Sequence, residues 1–252
     1  CVKEADKFLD KLPSLHNTVY RYRKYWDSVL PIDYSEKYKR WIFAFLSAHT
    51  RWADNVRGYQ YLDSLLERTD GYMPGIEDKD DYLMEELKAS KAGMFNVRHK
   101  AVSRFTNQYR EDPSQFDQTD VPLSITRDNL VDKIFGLGMA KISFALEMIY
   151  PDTQDVVCLD AHMFRLYKTK HTITKKSTQV VTRKEYKAIE SHWCGRCKAL
   201  GVPSGIARHI WWDRKQKQSI CDYWSHVFNT REGYASVREE CLSGTGRLSQ
   251  RT

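Results

Sequence analysis

Long apolar runs, a dense cysteine framework and strand-like alternation are all missing from these 252 residues. No stretch approaches the roughly 20 apolar residues that cross a bilayer. The opening CVKEADKFLDKLP mixes charges where a signal segment would be apolar. Neither a membrane span nor a leader is therefore expected. Six cysteines, unevenly spaced, do not resemble the staples of a small secreted domain, so a reducing, cytoplasmic setting is expected. There is no internal repeat and no low-complexity segment.

What is present is a basic chain with a real core. Forty Lys and Arg against 33 Asp and Glu give a net charge of +7, which favours a polyanionic partner, most commonly nucleic acid. On charge alone, a merely basic soluble protein is an equal alternative. The 41% hydrophobic content suits one large domain or two small lobes sharing a cleft.

Helical spacing dominates. KYKRWIFAFLSAHT (37–50), NVRGYQYLDSLLERT (55–69), DKDDYLMEELKAS (78–90), NVRHKAVSRFTNQY (96–109) and ITRDNLVDKIF (125–135) read as helices, separated by breaks such as GYMPG (71–75) and EDPSQFDQTDVPLS (111–124). YKAIESHWCGRCKALG (186–201) is helical up to a Gly stop. VPSGIARHIWWDRKQ (202–216) starts with a Pro suited to a helix N-terminus. The Thr-rich KTKHTITKKSTQVVTRK (168–184) reads as a loop and CLSGTGRLSQRT (241–252) as a tail.

The most informative stretch is IFGLGMAKISFALEMIYPDTQDVVCLDAHMFRLYK (134–168). Two short helices, Asn129 to Phe135 and Lys141 to Tyr150, would be joined by GLGMA, with Gly136 and Gly138 free to take positive φ. Amides at the start of the second helix could then face a phosphate, with Lys141 adding charge and Met139 packing at the hairpin. An acid emerging from the apolar VVCL is costly unless it has a partner or a task. Asp160 can cap a helix over AHMFRLY, and that role is compatible with catalysis.

These motifs resemble the helix-hairpin-helix DNA glycosylases of the endonuclease III type. FGLG and LDAHMFRLY are similar to that family's hairpin, LPGVG, and its VDTHVFRV motif about twenty residues on. Upstream, WIFAFLSAHT resembles LLSAQT, and GMFNVRHKAV resembles GLYNxKAxxI. The four matches run in family order from Trp41 to Tyr167. The resemblance implies an all-α fold of two helical lobes, with a helix-hairpin-helix motif and a central DNA-binding cleft. It reads as a single unit over 1–252, with a wedge-bearing helical lobe at 41–130, the hairpin and Asp motif at 131–168, and C-terminal helices completing the second lobe at 169–252.

The resemblance also implies roles. Asp160 matches the catalytic aspartate, acting on a nucleotide flipped from duplex DNA. Gly136 and Gly138 match the phosphate-binding hairpin. His49 stands where a glutamine usually fills the gap left by the flipped base. Arg51 and Arg57 are candidate DNA contacts, and Trp52 and Asn55 candidate base-pocket residues; a helix N-terminus with Trp52 in the core is an equal reading. HIWWDRKQ (209–216) either meets nucleic acid or, by about two to one, pins the last helix to the core. Lys168, Lys170, Lys175 and Lys176 either meet phosphates or solvate a loop.

Departures from the family matter too. Bifunctional members carry a Schiff-base lysine two residues after the second hairpin glycine; here that residue is Ala140. Lys141, a catalytic candidate, comes next, about 100° further round a helix, and would need a local shift to substitute. Efficient lyase activity is therefore not expected, and the leading expectation is a monofunctional glycosylase. Phe135 replaces the hairpin proline. The family's iron–sulfur cluster is not expected, because Cys194 and Cys197 are close but Cys221 and Cys241 are distant. A zinc site of Cys194, Cys197, Cys221 and His192 or His226 is the lesser reading, ordinary thiols the greater. No cofactor is implied, although such a hairpin can hold a monovalent cation. Double-stranded DNA is the implied partner and a monomer the expected state.

Two alternatives remain open at this level. Some bacteriophage relatives of the superfamily are linked to thymine hypermodification, in which an activated 5-hydroxymethyluracil in DNA receives an amino acid or amine. The missing lysine, His49 and an unfamiliar C-terminal third keep that transferase reading alive. A DNA-binding module without catalysis is the third reading, which the retained Asp160 argues against.

Overall fold

The computed structural model describes residues 2–167 and 181–216, apart from 68, 70, 76–81, 92 and 118. Every regular element among them is helical: α1 (Lys3–Leu9), α2 (His16–Ser28), α3 (Tyr34–Leu46), α4 (Trp52–Leu66), α5 (Tyr82–Ala89), α6 (Phe95–Glu111), α7 (Leu123–Val131), α8 (Met139–Ile149), α9 (Ala161–Leu166), α10 (Arg183–Ala199) and α11 (Ser204–Gln216). Single 3₁₀ turns lie at Leu12–Leu15 and Pro113–Phe116. No described helix is long and apolar enough to cross a membrane. The loop expected over 168–184 lies mostly outside the described residues, and its last two residues open α10. The 241–252 tail, Cys221, Cys241 and His226 lie wholly outside them.

Local chemistry sets several boundaries. Asp33 caps α3 by accepting from the Glu36 amide. Thr182 and Glu185 form a reciprocal capping box on α10, and Gly201, at φ +65°, follows its end. The expected helix over 37–50 stops at Leu46, so His49 sits in a loop. Likewise, the first hairpin helix ends at Val131 rather than Phe135.

The core centres on α3, in which Trp41 to Leu46 are all buried and which packs on α4, α6 and α8. Rings from α3 and α6 interlock there, with Trp41 5.6 Å from Phe105 and Tyr38 5.2 Å from Tyr109. A second aromatic cluster joins α11 to the N-terminal helices. Phe8 packs 5.2 Å from Trp211 and Trp26 lies 4.8 Å from His209. Burying side chains of this size is worth about 1.5–3 kcal/mol each before the entropy cost of ordering. The two tryptophans of HIWWDRKQ thus divide their work: Trp211 pins α11 to α1, while Trp212 turns toward Trp52 and His162.

Candidate active site

The VVCL run is buried, with no strand beside it among the described residues, so its backbone finds side-chain partners. Val157 N donates to Glu190 of α10 (3.1 Å), Cys158 N to Glu147 of α8 (2.8 Å), and Leu159 N to the Tyr186 hydroxyl (3.1 Å). Tyr186 in turn donates to the Val157 carbonyl (2.7 Å), and Ser204 of α11 donates to Val156 O (2.6 Å). Each carboxylate is also held by an arginine. Arg127 of α7 meets Glu190, and Arg208 of α11 meets Glu147 at 2.7–3.1 Å. Gly205 lets α11 approach this closely, since a Cβ there would lie 3.2 Å from Glu147 Cγ. Four helices thereby fix the run that ends in Asp160.

Asp160 caps α9. Its Oδ1 accepts from the amides of His162 (2.8 Å) and Met163 (3.0 Å), while Oδ2 makes no hydrogen bond among the described residues. One oxygen is anchored and the other is available, so capping and chemistry coexist. Asp160 lines a cavity of about 1040 Å³ together with Asn55, Lys141, Cys158, Arg208 and Trp212.

The hairpin borders the same cavity, with one correction. Positive φ is needed only at Gly136 (φ +88°), where a Cβ would also come within 2.7 Å of Ala101 Cβ. Gly138 is instead extended (φ −98°, ψ 179°), open around its missing Cβ, and is the N-cap of α8. Phe135, in the proline's place, is exposed and carries Arg104 (4.8 Å) and Lys100 (5.3 Å) over its ring. Met139, expected to pack at the hairpin, packs against the core.

Lys141 does not project away from the cleft. It lines the cavity and its amine lies 5.3 Å from the Phe144 ring centre. Burial lowers the amine's proton affinity, while Cys158 and Asp160 oppose that effect.

His49, which also lines the cavity, is exposed in the left-handed region (φ +54°), which histidine tolerates better than most residues. Arg98 of α6 holds that loop. Its guanidinium donates to Leu46 O and Ala48 O (2.8 Å each), to the Thr50 hydroxyl and to Gly93 O. Arg51 lines the cavity and Arg57 does not; both are exposed and both bind Asp54. The hydrogen bond from Arg51 leads in holding the Asp54 carboxyl below its ordinary range. Trp52 is in both environments at once, packing on Phe43 (5.4 Å) and Trp212 (5.5 Å) while lining the cavity. Asn55, one turn on, is 1% exposed.

Cys194 and Cys197 are buried thiols that burial keeps protonated. Their neighbour His192 faces Tyr167 (2.9 Å) and Asp6 (3.3 Å). No group of three metal-ligating side chains is found among the described residues.

Comparison with solved structures places this geometry. The 8-oxoguanine DNA glycosylase of Thermotoga maritima matches with a TM-score of 0.61 and 16% identity, over 87% of this chain and 99% of that one. The Methanocaldococcus jannaschii 8-oxoguanine DNA glycosylase matches with a TM-score of 0.61 and 20% identity, over 85% and 94%. The M. jannaschii glycosylase/lyase in complex with a 15-mer DNA containing 8-oxoguanine matches with a TM-score of 0.59 and 18% identity, over 87% and 98%. The chain has the helix-hairpin-helix DNA glycosylase fold. No family model matches the sequence, and no curated protein does. In this fold the residues that sequence reasoning overlooked, Arg98, Glu147, Glu190 and Arg208, are those that brace the two walls. One signal was legible: Glu147 is a charge inside the apolar FALEMI, and such a charge needs a buried partner.

Proposed function

We propose that this protein is a monofunctional DNA glycosylase that flips a base out of duplex DNA and hydrolyses its N-glycosidic bond. The observation that carries this reading is the convergence of the available Asp160 oxygen, Lys141, the Gly136–Gly138 hairpin and the His49 loop on one cavity. The hairpin amides bind a backbone phosphate and present the sugar. Asp160 stabilises positive charge developing at C1′ and takes a proton from the attacking water. The water oxygen bonds to C1′, the C1′–N pair leaves with the base, and the departing nitrogen takes a proton from solvent while Asp160 returns the one it accepted to solvent. Lys141 supplies a cation beside the abasic product and its phosphates.

A second reading has one observation in its favour. The cavity, about 1040 Å³, is at the upper end of the roughly 300–1,000 Å³ typical of ligand pockets, a size that favours a flipped base with an amine donor beside it and group transfer to a modified thymine.

Mass balance on duplexes carrying damaged bases and 5-substituted pyrimidines tests both. Free base is expected with the unsubstituted chain, falling at least about a hundredfold in Asp160→Asn, a variant that keeps the helix cap. Full activity in that variant would sink the mechanism. An intact strand with a heavier base, formed only when amine is added, would establish transfer instead. Borohydride should trap no covalent complex; an adduct lost in Lys141→Gln would make the enzyme a lyase as well.

A further inference from the structure

Beside the hairpin and outside the cavity lies a patch of positive charge that the protein does not balance. Lys100 and Arg104 of α6 are exposed, and neither meets a carboxylate among the described residues. Exposed cations between α7 and α10 are paired by contrast, Arg183 with Asp132 and Lys187 with Asp128. Two like charges one helical turn apart repel each other and weaken a helix. Here both are gathered over one ring, with Arg104 4.8 Å and Lys100 5.3 Å from the centre of Phe135. That ring is 44% exposed, so it brings the two cations together in solvent rather than in the core.

The packing of α6 puts this patch in line with the hairpin. Residues 97, 100, 101 and 104 share one face of the helix. Val97 and Ala101 on that face line the cavity, and Gly136 sits against Ala101, where only a missing Cβ leaves room. The face therefore runs from the cavity rim, past the hairpin, to the two cations. DNA carries its phosphates at regular intervals, and cations facing them position a duplex without reading its sequence.

We infer that Lys100 and Arg104 form a second backbone clamp, which takes DNA phosphates beyond the one on the hairpin amides, and that Phe135 is the positioning residue that holds both cations there. The inference rests on the reading of the hairpin as a DNA phosphate site. Its test is the salt dependence of duplex binding by the full chain, followed by the fluorescence anisotropy of a labelled, undamaged duplex. Each phosphate contact contributes about 0.9 to the slope of log affinity against log salt. Lys100→Gln combined with Arg104→Gln should therefore flatten that slope by about 1.8. Arg183→Gln combined with Lys187→Gln removes the same charge from a paired site and should change the slope by less than about 0.3. Phe135→Leu keeps both cations and should weaken binding about threefold, whereas Phe135→Tyr should bind like the unsubstituted chain.

Equal flattening in the two double variants, or none in the first, would overturn the clamp and leave the glycosylase reading to be judged by base release. Undiminished binding by Phe135→Leu would overturn the role of the ring. Flattening confined to the Lys100 and Arg104 pair, with no base released from any duplex, would sink hydrolysis but leave the clamp standing. If the unsubstituted chain bound no duplex at all, both would fall together.

Discussion

On one side of the cleft, the run from Val156 to Leu159 is held by two carboxylates, a tyrosine and a serine, and each carboxylate is matched by a buried arginine. Elsewhere on the cavity lining, the loop after α3 is held by the Arg98 guanidinium and the Thr50 hydroxyl, includes a left-handed histidine and borders an asparagine with no partner. The first wall closes its hydrogen bonds internally and positions Asp160 within a rigid frame. The second leaves the Asn55 amide without a partner. Polar groups that are fully paired confer rigidity; groups left unpaired are available for recognition.

The largest effect that could break this contrast is on the paired wall. Glu147→Gln keeps an acceptor for Cys158 N but leaves Arg208 as an uncompensated buried charge, so unfolding free energy should drop by about 3–5 kcal/mol. Denaturant titration measures it. Replacing both partners with apolar residues should recover most of the loss, because the desolvation penalty disappears with the pair. A loss below about 1 kcal/mol for the single variant would show that this wall is not braced by the pair.

Asp213 sharpens the same comparison, since this buried acid on α11 has the Tyr22 hydroxyl on one oxygen and no partner on the other. Burial pushes its carboxyl up to about 7, against opposing effects from Tyr22 and Arg208. The folded value lies above the unfolded one, so its contribution to stability is whole below about pH 4 and is lost as pH rises through about 7. The stability of the unsubstituted chain relative to Asp213→Asn should thus decline between those limits, by at most about 4 kcal/mol. Parallel melting curves of the two proteins across that range would refute the assignment.

The smallest stability effect belongs to the recognition wall. Arg98→Met removes charge-assisted hydrogen bonds to the loop and should cost about 1.5–3 kcal/mol. Duplex affinity should fall about tenfold as His49 loses its placement. Unchanged affinity would mean that the loop's conformation does not depend on the clamp.

Much of this organisation is legible in the residues. Apolar spacing located the later helices, and the Gly136–Asp160 interval, with its flanking motifs, pointed to the hairpin and the acid. Glycine chemistry was only half right: Gly136 needs its left-handed φ and its closeness to Ala101, whereas Gly138 is extended. The first two α-helices carry no motif, and nothing in their pattern announced that they pack beneath α11. A helical wheel locates Cβ atoms, not the end of a flexible chain, so only the structure shows that Lys141 lines the cavity.

The sequence by itself determined the helical class, the place of the hairpin and the acid that follows it, because those depend on short-range periodicity and on what glycine and aspartate permit locally. Only the tertiary structure decided which polar groups meet. Glu190 serves a backbone amide 33 positions away, Arg208 serves a carboxylate 61 positions away, and Asn55 is left with none. Pairing across such distances follows from how helices pack, since a buried run outside the helices draws its hydrogen bonds from whichever side chains the fold brings to it.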